Sequence, residues 1–215
     1  MEEIANFVAG FQRFQARYFG EDVELFDQLR QGQHPKALFV ACCDSRVAPA
    51  LLTGCDPGEL FVVRNVANLV PPCESDGGYH GVSAALEFGV CILGVGHVIV
   101  MGHSQCGGIA ALMSGAEEYR SGSFVSNWMK IAEKARRRVV ADLPHKSREL
   151  QCRACEQASI LLSLENLLSF AWIRERVESG KLRLHGWYFD LERGELSGYD
   201  LASEKFIPFS LTATI

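Results

Sequence analysis

Apolar residues recur along this chain at two spacings, one helical and one strand-like. Over residues 4–18, Ile4, Phe7, Val8, Phe11, Phe14 and Tyr18 share one helical face. An aromatic stripe of this kind belongs either on the chain's own core or on a second subunit, and spacing alone leaves both open. Three short, unbroken apolar runs follow, over residues 37–41, 60–63 and 98–101. Unbroken runs of that length fit strands buried on both faces, as in parallel sheets. Between the second and third, Val82, Leu86, Val90 and Leu93 return to helical spacing. Buried strands alternating with helices predict a parallel α/β sheet.

Past Gly107-Gly108 the pattern stays helical. Residues 123–140 form a basic amphipathic stretch ending in Arg136-Arg137-Arg138, read as a solvated helix face, and Pro144 punctuates it. Residues 150–170 predict a helix with Ala154, Ala158, Leu161, Leu164 and Leu168 on one face. Residues 182–191 and 195–199, with Arg193-Gly194 between them, predict a strand pair. The expected fold class is α/β: a central, mostly parallel β-sheet flanked by helices, with an N-terminal helical arm (residues 1–30) and a C-terminal strand pair. No repeat and no Pro-, Gly- or Ser-rich linker interrupts it, so one domain over residues 1–215 is expected.

Composition narrows the function. Of 215 residues, 48% are hydrophobic and 22% charged, which excludes a disordered chain. The formal net charge of −5 lacks the basic footprint of a nucleic-acid binder. No apolar run is long enough to span a membrane. The acidic start, Met1-Glu2-Glu3, lacks the basic segment of a signal peptide, so a cytoplasmic location is expected. Eight cysteines, at 42, 43, 55, 73, 91, 106, 152 and 155, are then ligands, nucleophiles or small buried hydrophobes rather than a disulfide framework.

Two segments stand at the carboxyl ends of predicted buried strands: Cys42-Cys43-Asp44-Ser45-Arg46 and His103-Ser104-Gln105-Cys106-Gly107-Gly108. Sites in open parallel sheets form outside those ends. His103 and Cys106 are close enough to reach one zinc ion, and Cys42 or Cys43 could add a third ligand. Three protein ligands leave the open position of a catalytic zinc site. Alternation along the strand end favours Cys42, turns Cys43 away and returns Asp44 to the site. Arg46 can then hold Asp44 as a hydrogen-bond acceptor and keep it off the metal. Taken singly, each motif reads more simply as a structural His-Cys pair or a surface turn. Cys106 could instead be a nucleophile paired with His103, but no oxyanion hole or orienting acid accompanies it. Gly107-Gly108 could cradle a phosphate, yet the Lys and Thr of a P-loop are missing. Cys152 and Cys155 fall within a predicted helix without a partner pair. His80, His97, His145 and His185 have no companions in the sequence.

Cys42-x-Asp44-Ser45-Arg46 followed by His103-x-x-Cys106-Gly107 resembles the zinc signature of the β-class carbonic anhydrases. The stretch Pro57-Gly58-Glu59-Leu60-Phe61-Val62-Val63-Arg64-Asn65-Val66-Ala67-Asn68 and His185-Gly186-Trp187 extend the likeness over residues 30–190. The resemblance implies Zn2+ held by Cys42, His103 and Cys106, with Asp44 and Arg46 as the catalytic dyad beside it. It implies reversible hydration of carbon dioxide to bicarbonate and a proton, by hydroxide on the zinc. It further implies substrate contacts from Gln33, Phe61, Val66, Phe88 and Gly107, with Phe88 standing where plant-type members often carry Tyr. Members regulated by bicarbonate carry a Trp and a Tyr where this chain has Phe39 and Phe189, so the likeness is to the plant-type, unregulated form. A homodimer or homotetramer follows, with the arm laid on a neighbour. Hydrolysis of carbonyl sulfide or carbon disulfide, and a non-catalytic zinc or redox protein, are the alternatives.

Overall fold

The structure is a computed structural model that describes residues 2–21, 23–74, 76, 78–115 and 122–209. The chain divides into two compact units, Met1–His34 and Pro35–Ile215.

The first unit holds α1 (Glu2–Ala16), a π-helical turn (Arg17–Glu21) and α2 (Val23–Leu29). Its aromatic stripe divides in two. Phe14 stacks on Tyr18 and Phe19 on Phe26, each pair with centroids 4.8 Å apart, and Tyr18 is buried. Ile4, Phe7, Val8 and Phe11 remain exposed. Burying the stripe within its own unit therefore describes only the carboxyl end.

The second unit runs β1 (Ala37–Cys42), α3 (Pro49–Thr53), β2 (Leu60–Asn65), α4 (Gly81–Glu87), β3 (His97–His103), α5 (Gly107–Ser114), α6 (Phe124–Met129), α7 (Glu133–Asp142), α8 (Arg148–Leu167), α9 (Ala171–Glu178), β4 (Arg183–Asp190), β5 (Glu195–Asp200) and β6 (Lys205–Pro208). The strands form one sheet in the order β2-β1-β3-β4-β5-β6. The first four are parallel, and β5 and β6 join antiparallel. The predicted terminal strand pair thus sits inside the sheet, with β4 paired in parallel to β3 over seven residues.

Every residue of β1 is buried, as its unbroken apolar run requires. Leu38 and Val40 face one layer, with Val98, Val100, Ile160, Leu167 and Ile173. Phe39 and Ala41 face the other, with Ile99, Met101 and Trp187. The predicted helix over residues 150–170 exists as α8, but its buried face is rotated. Leu161 and Leu164 are half-buried and Leu168 is exposed, whereas Cys155, Glu156, Ser159, Ile160, Ser163 and Leu167 are buried. The polar members of that face are bonded: the Ser163 hydroxyl accepts from the Val70 amide, and Ser159 donates to the Glu156 carbonyl. Among the described residues, no helix is long and apolar enough to cross a membrane.

Strand order reverses at β1, whose neighbours β2 and β3 both follow it in sequence. The crevice opens outside the carboxyl ends of β1 and β3 at such a point. Cys42 ends β1 and His103 ends β3.

Candidate metal centre

Cys42, His103 and Cys106 are all buried, and their ligand atoms lie within 4.8 Å of one another. A tetrahedral zinc ion with bonds of about 2.0–2.3 Å needs ligand atoms roughly 3.6–3.8 Å apart, so a small closure suffices. The His103 ring is oriented by its own backbone neighbour: Nδ1 lies 2.8 Å from the Ser104 carbonyl oxygen, which makes Nδ1 the protonated nitrogen. That leaves Nε2 with its lone pair turned inward. Nε2 is buried and, among the described residues, has no hydrogen-bond partner. A buried imidazole nitrogen facing two sulfurs fits a soft or borderline cation and costs free energy without one.

Cys106 arrives from the other loop. Gln105 before it has a positive φ of 58°, and Cys106 itself is the extended residue that caps α5. Its sulfur is thereby placed at a helix N-terminus, which favours a thiolate. Its backbone amide donates to Oε1 of the buried Glu156 at 3.1 Å. Gly108 is required by crowding: a Cβ there would meet Val66 Cγ1 at 2.8 Å and Ala67 Cβ at 3.2 Å. Gly107, the glycine expected to touch substrate, has no such neighbour within 4 Å.

The electrostatics follow from the geometry. Cys42 is pulled down chiefly by its bond to the Cys106 sulfur, against burial, with the His103 ring and the Asp44 and Ala67 amides adding to it. The same bond pushes Cys106 up. One proton is shared between the two sulfurs, and the His103 ring favours the thiolate at Cys42. Burial works against charge on His103, but the Cys42 sulfur, the Ser104 carbonyl and Asp44 together outweigh it and raise the ring. A cation among the three would displace the remaining protons.

Asp44 follows β1 in the turn and lies beside this group, with Oδ2 3.9 Å from His103 Nε2. Arg46 grips it three times: the amide and Nε donate to Oδ1 at 2.9 Å each, and Nη2 donates to Oδ2 at 2.7 Å. Nη2 also reaches the Gln105 carbonyl at 3.1 Å, tying the two loops together. The Arg46 hydrogen bonds hold the Asp44 carboxyl well below the usual carboxylate range. Cys43 is exposed, as strand alternation requires.

Arg64 on β2 has a role that sequence reasoning did not find. Nε donates to the Cys42 carbonyl at 2.9 Å, and Nη2 to those of Asp44 at 2.6 Å and Val47 at 3.1 Å. It clamps the backbone of the first loop.

The expected substrate residues are not all brought together. Val66 packs against Gly108 and lines a cleft of about 700 Å³ with Asn65, Tyr79, His80, Val82 and Trp128. Phe61 and Phe88 stack at 5.9 Å, but at the opposite end of β2. Phe61 pairs with Leu38 and Asn65 with Cys42, four residues further on, or about 13 Å along the strands. Within one chain these two rings therefore stand away from the metal-ligating group. Gln33 is an exposed residue of the first unit. His97 and His185, expected to lack companions, meet at 3.0 Å because the parallel register aligns β3 with β4. His80 likewise pairs with Asp76. Cys152 and Cys155 lie free in α8.

Known proteins resemble this chain over most of its length. The carbonic anhydrase family model matches residues 37–196. The β carbonic anhydrase 5 of Arabidopsis thaliana chloroplasts is 46% identical over 180 residues, 84% of this chain and 59% of that protein. This chain thus spans little more than half that relative's length. A carbonic anhydrase of Pseudomonas aeruginosa is 41% identical, covering 95% of this chain and 91% of its own. The solved structure of the β-carbonic anhydrase CcaA superposes with a TM-score of 0.91 at 35% identity, covering 99% of this chain and 94% of that one. The chain belongs to the carbonic anhydrases, as a plant-type member of their β class.

Proposed function

We propose that this chain catalyses the reversible hydration of carbon dioxide with a zinc ion held by Cys42, His103 and Cys106. The observation that carries the proposal is the buried, unpartnered Nε2 of His103 facing two thiols, beside a carboxylate that Arg46 keeps occupied. When bound, zinc supplies the Lewis acidity that makes a nucleophile of water near neutral pH.

The remaining chemistry belongs to the side chains. Asp44 stays ionised under the hold of Arg46, so it accepts a hydrogen bond from water in the site and orients it toward substrate. Arg46 uses both oxygens of Asp44, which keeps the carboxylate an acceptor rather than a fourth ligand. Val66 offers an apolar wall suited to carbon dioxide, a small molecule without a dipole. Phe61, Phe88 and Gln33 complete the pocket from a second copy of the chain. This is supported by the distance of the two rings from Cys42 along the strands. It is supported too by the exposure of Phe88 and Ile92 and of the apolar side chains of α1. A dimer is therefore the smallest active form.

The test is zinc content and carbon dioxide hydration rate on one purified sample. About one zinc per chain and a rate well above buffer are expected. Asp44→Asn should keep the zinc and lose about 100-fold or more in kcat, the usual range for a proton-handling group. Zinc-loaded protein that leaves hydration at the buffer rate would overturn the proposal.

A further inference from the structure

We propose that Glu156 is a positioning residue for Cys106: its buried carboxylate fixes the amide of the ligand-bearing residue and so holds the sulfur in place. The role rests on the zinc site proposed above.

Glu156 lies on the inner face of α8 and is 4% exposed. Its neighbours on that face include Cys155, Ser159 and Ile160, which are uncharged. A carboxyl group in such a place is unfavourable unless both oxygens are bonded, and an apolar residue would pack there without that requirement. Both oxygens are bonded, each to a distant part of the chain. Oε1 accepts the Cys106 amide, 50 residues back in sequence, at 3.1 Å. Oε2 accepts the Tyr188 hydroxyl of β4 at 2.8 Å. Tyr188 is itself buried, and its ring packs on Phe206. The tyrosine thus braces the carboxylate from behind, and the carboxylate reaches forward to the ligand loop.

What it holds needs holding. Cys106 stands between Gln105, strained at φ 58°, and the first turn of α5, and α5 has no side-chain cap. The Cys106 amide and its Cβ are joined through one N–Cα bond, so fixing the amide limits the directions open to the sulfur. The Glu156 bond holds that amide. Serine 104, on the other side of the loop, is tied separately, accepting the Leu191 amide at 2.8 Å. Glu156 thus takes the N–H of the 105–106 peptide, while Arg46 reaches the carbonyl of the same peptide at 3.1 Å.

The variants separate reach from charge. Glu156→Gln keeps an acceptor oxygen at the same reach and removes the charge. Glu156→Asp keeps the charge and draws the oxygens back by one methylene. Leu167→Ala opens a cavity at the far end of the same helix and serves as the packing control. Each protein is stripped and reloaded, zinc affinity is read by chelator competition, and the cobalt-substituted form is read by its sulfur-to-cobalt absorption. Glu156→Asp should lose about 10- to 100-fold in zinc affinity, the usual effect of removing a partner behind a ligand, and its sulfur-to-cobalt band should weaken. Glu156→Gln should stay close to the parent in both, and Leu167→Ala should melt earlier with both readouts unchanged. If Glu156→Asp matches the parent, or Glu156→Gln falls as far as Glu156→Asp, the positioning role is wrong. If Leu167→Ala loses the same affinity, helix packing alone is responsible and the role is equally refuted. Should Glu156→Asp not fold, Tyr188→Phe removes the brace and must show a smaller change of the same band. An unchanged band there overturns the role. A parent protein that takes up neither zinc nor cobalt refutes the zinc site itself, and this role with it.

Discussion

Replacing Arg64 by Ala removes three hydrogen bonds from the loop that carries Cys42 and Asp44. Bonds from a charged donor are worth about 1.5–3 kcal/mol each. The bond to the Asp44 carbonyl is exposed, and water replaces it at little loss. Those to the Cys42 and Val47 carbonyls are part-buried and carry most of the effect. Two such bonds give an upper bound of about 3–6 kcal/mol, and a shared donor with water entry brings the expectation to about 2–4 kcal/mol. For a chain of this size each kcal/mol lowers Tm by about 2–4 °C, so a drop of about 4–16 °C is expected. The loop also bears the proposed dyad and a proposed ligand, so kcat should fall at temperatures far below melting. A displacement near 1 Å is enough for a loss of about 100-fold. Arg64→Lys, with one point charge in place of a fork, should fall between. The assay is a thermal melt of the zinc-loaded protein paired with stopped-flow hydration. An Ala variant that melts within about 2 °C of the parent and keeps its kcat would refute the clamp.

Cys42→Ala should lose zinc and turnover together, whereas Cys43→Ser should keep both, because Cys43 is exposed and bonds to Asn65 through its backbone amide; metal analysis of the two proteins decides it. Bicarbonate should act on this protein only as product: Arg64 is already engaged with three carbonyls, and Phe39 and Phe189 offer no donors. A cooperative loss of activity on adding bicarbonate, seen in pH–rate profiles, would contradict that. Burial, followed by His97 and Arg183, holds the His185 pKa below its usual value, so the unfolded chain takes up this proton first. The stability involved is complete above about pH 6.5 and shrinks as pH falls below it. Between about pH 7.5 and 5.5 the Tm of His185→Asn should vary less than that of the parent, and parallel slopes would show that His185 contributes nothing.

Much of this molecule could be read along the chain. Unbroken apolar runs located β1, β2 and β3, because a strand covered on both faces has no room for polar positions. The ligand loops were legible as well. Cys42, Asp44, His103 and Cys106 stand at strand ends, where alternation and short spacing fix which side chains converge. Other features depended on contacts that spacing does not encode. A terminal strand pair has the same local pattern whether it stands apart or, like β4, completes a parallel sheet. Only the register β3–β4 could bring His97 to His185. The buried face of α8 does not follow the count of apolar residues, since Glu156 and Ser163 are buried through bonds to distant partners and Ser159 through one within the helix. The three carbonyl partners of Arg64 lie in another loop, which its place in the sequence does not reveal. Phe61 and Phe88 share a neighbourhood with the site in sequence, yet the rise of the strand carries them to its other end. Periodicity reports which side of an element is apolar. It does not report which partner, across 50 or 90 residues of chain, satisfies a buried polar group, and that is settled only when the tertiary fold brings the two together.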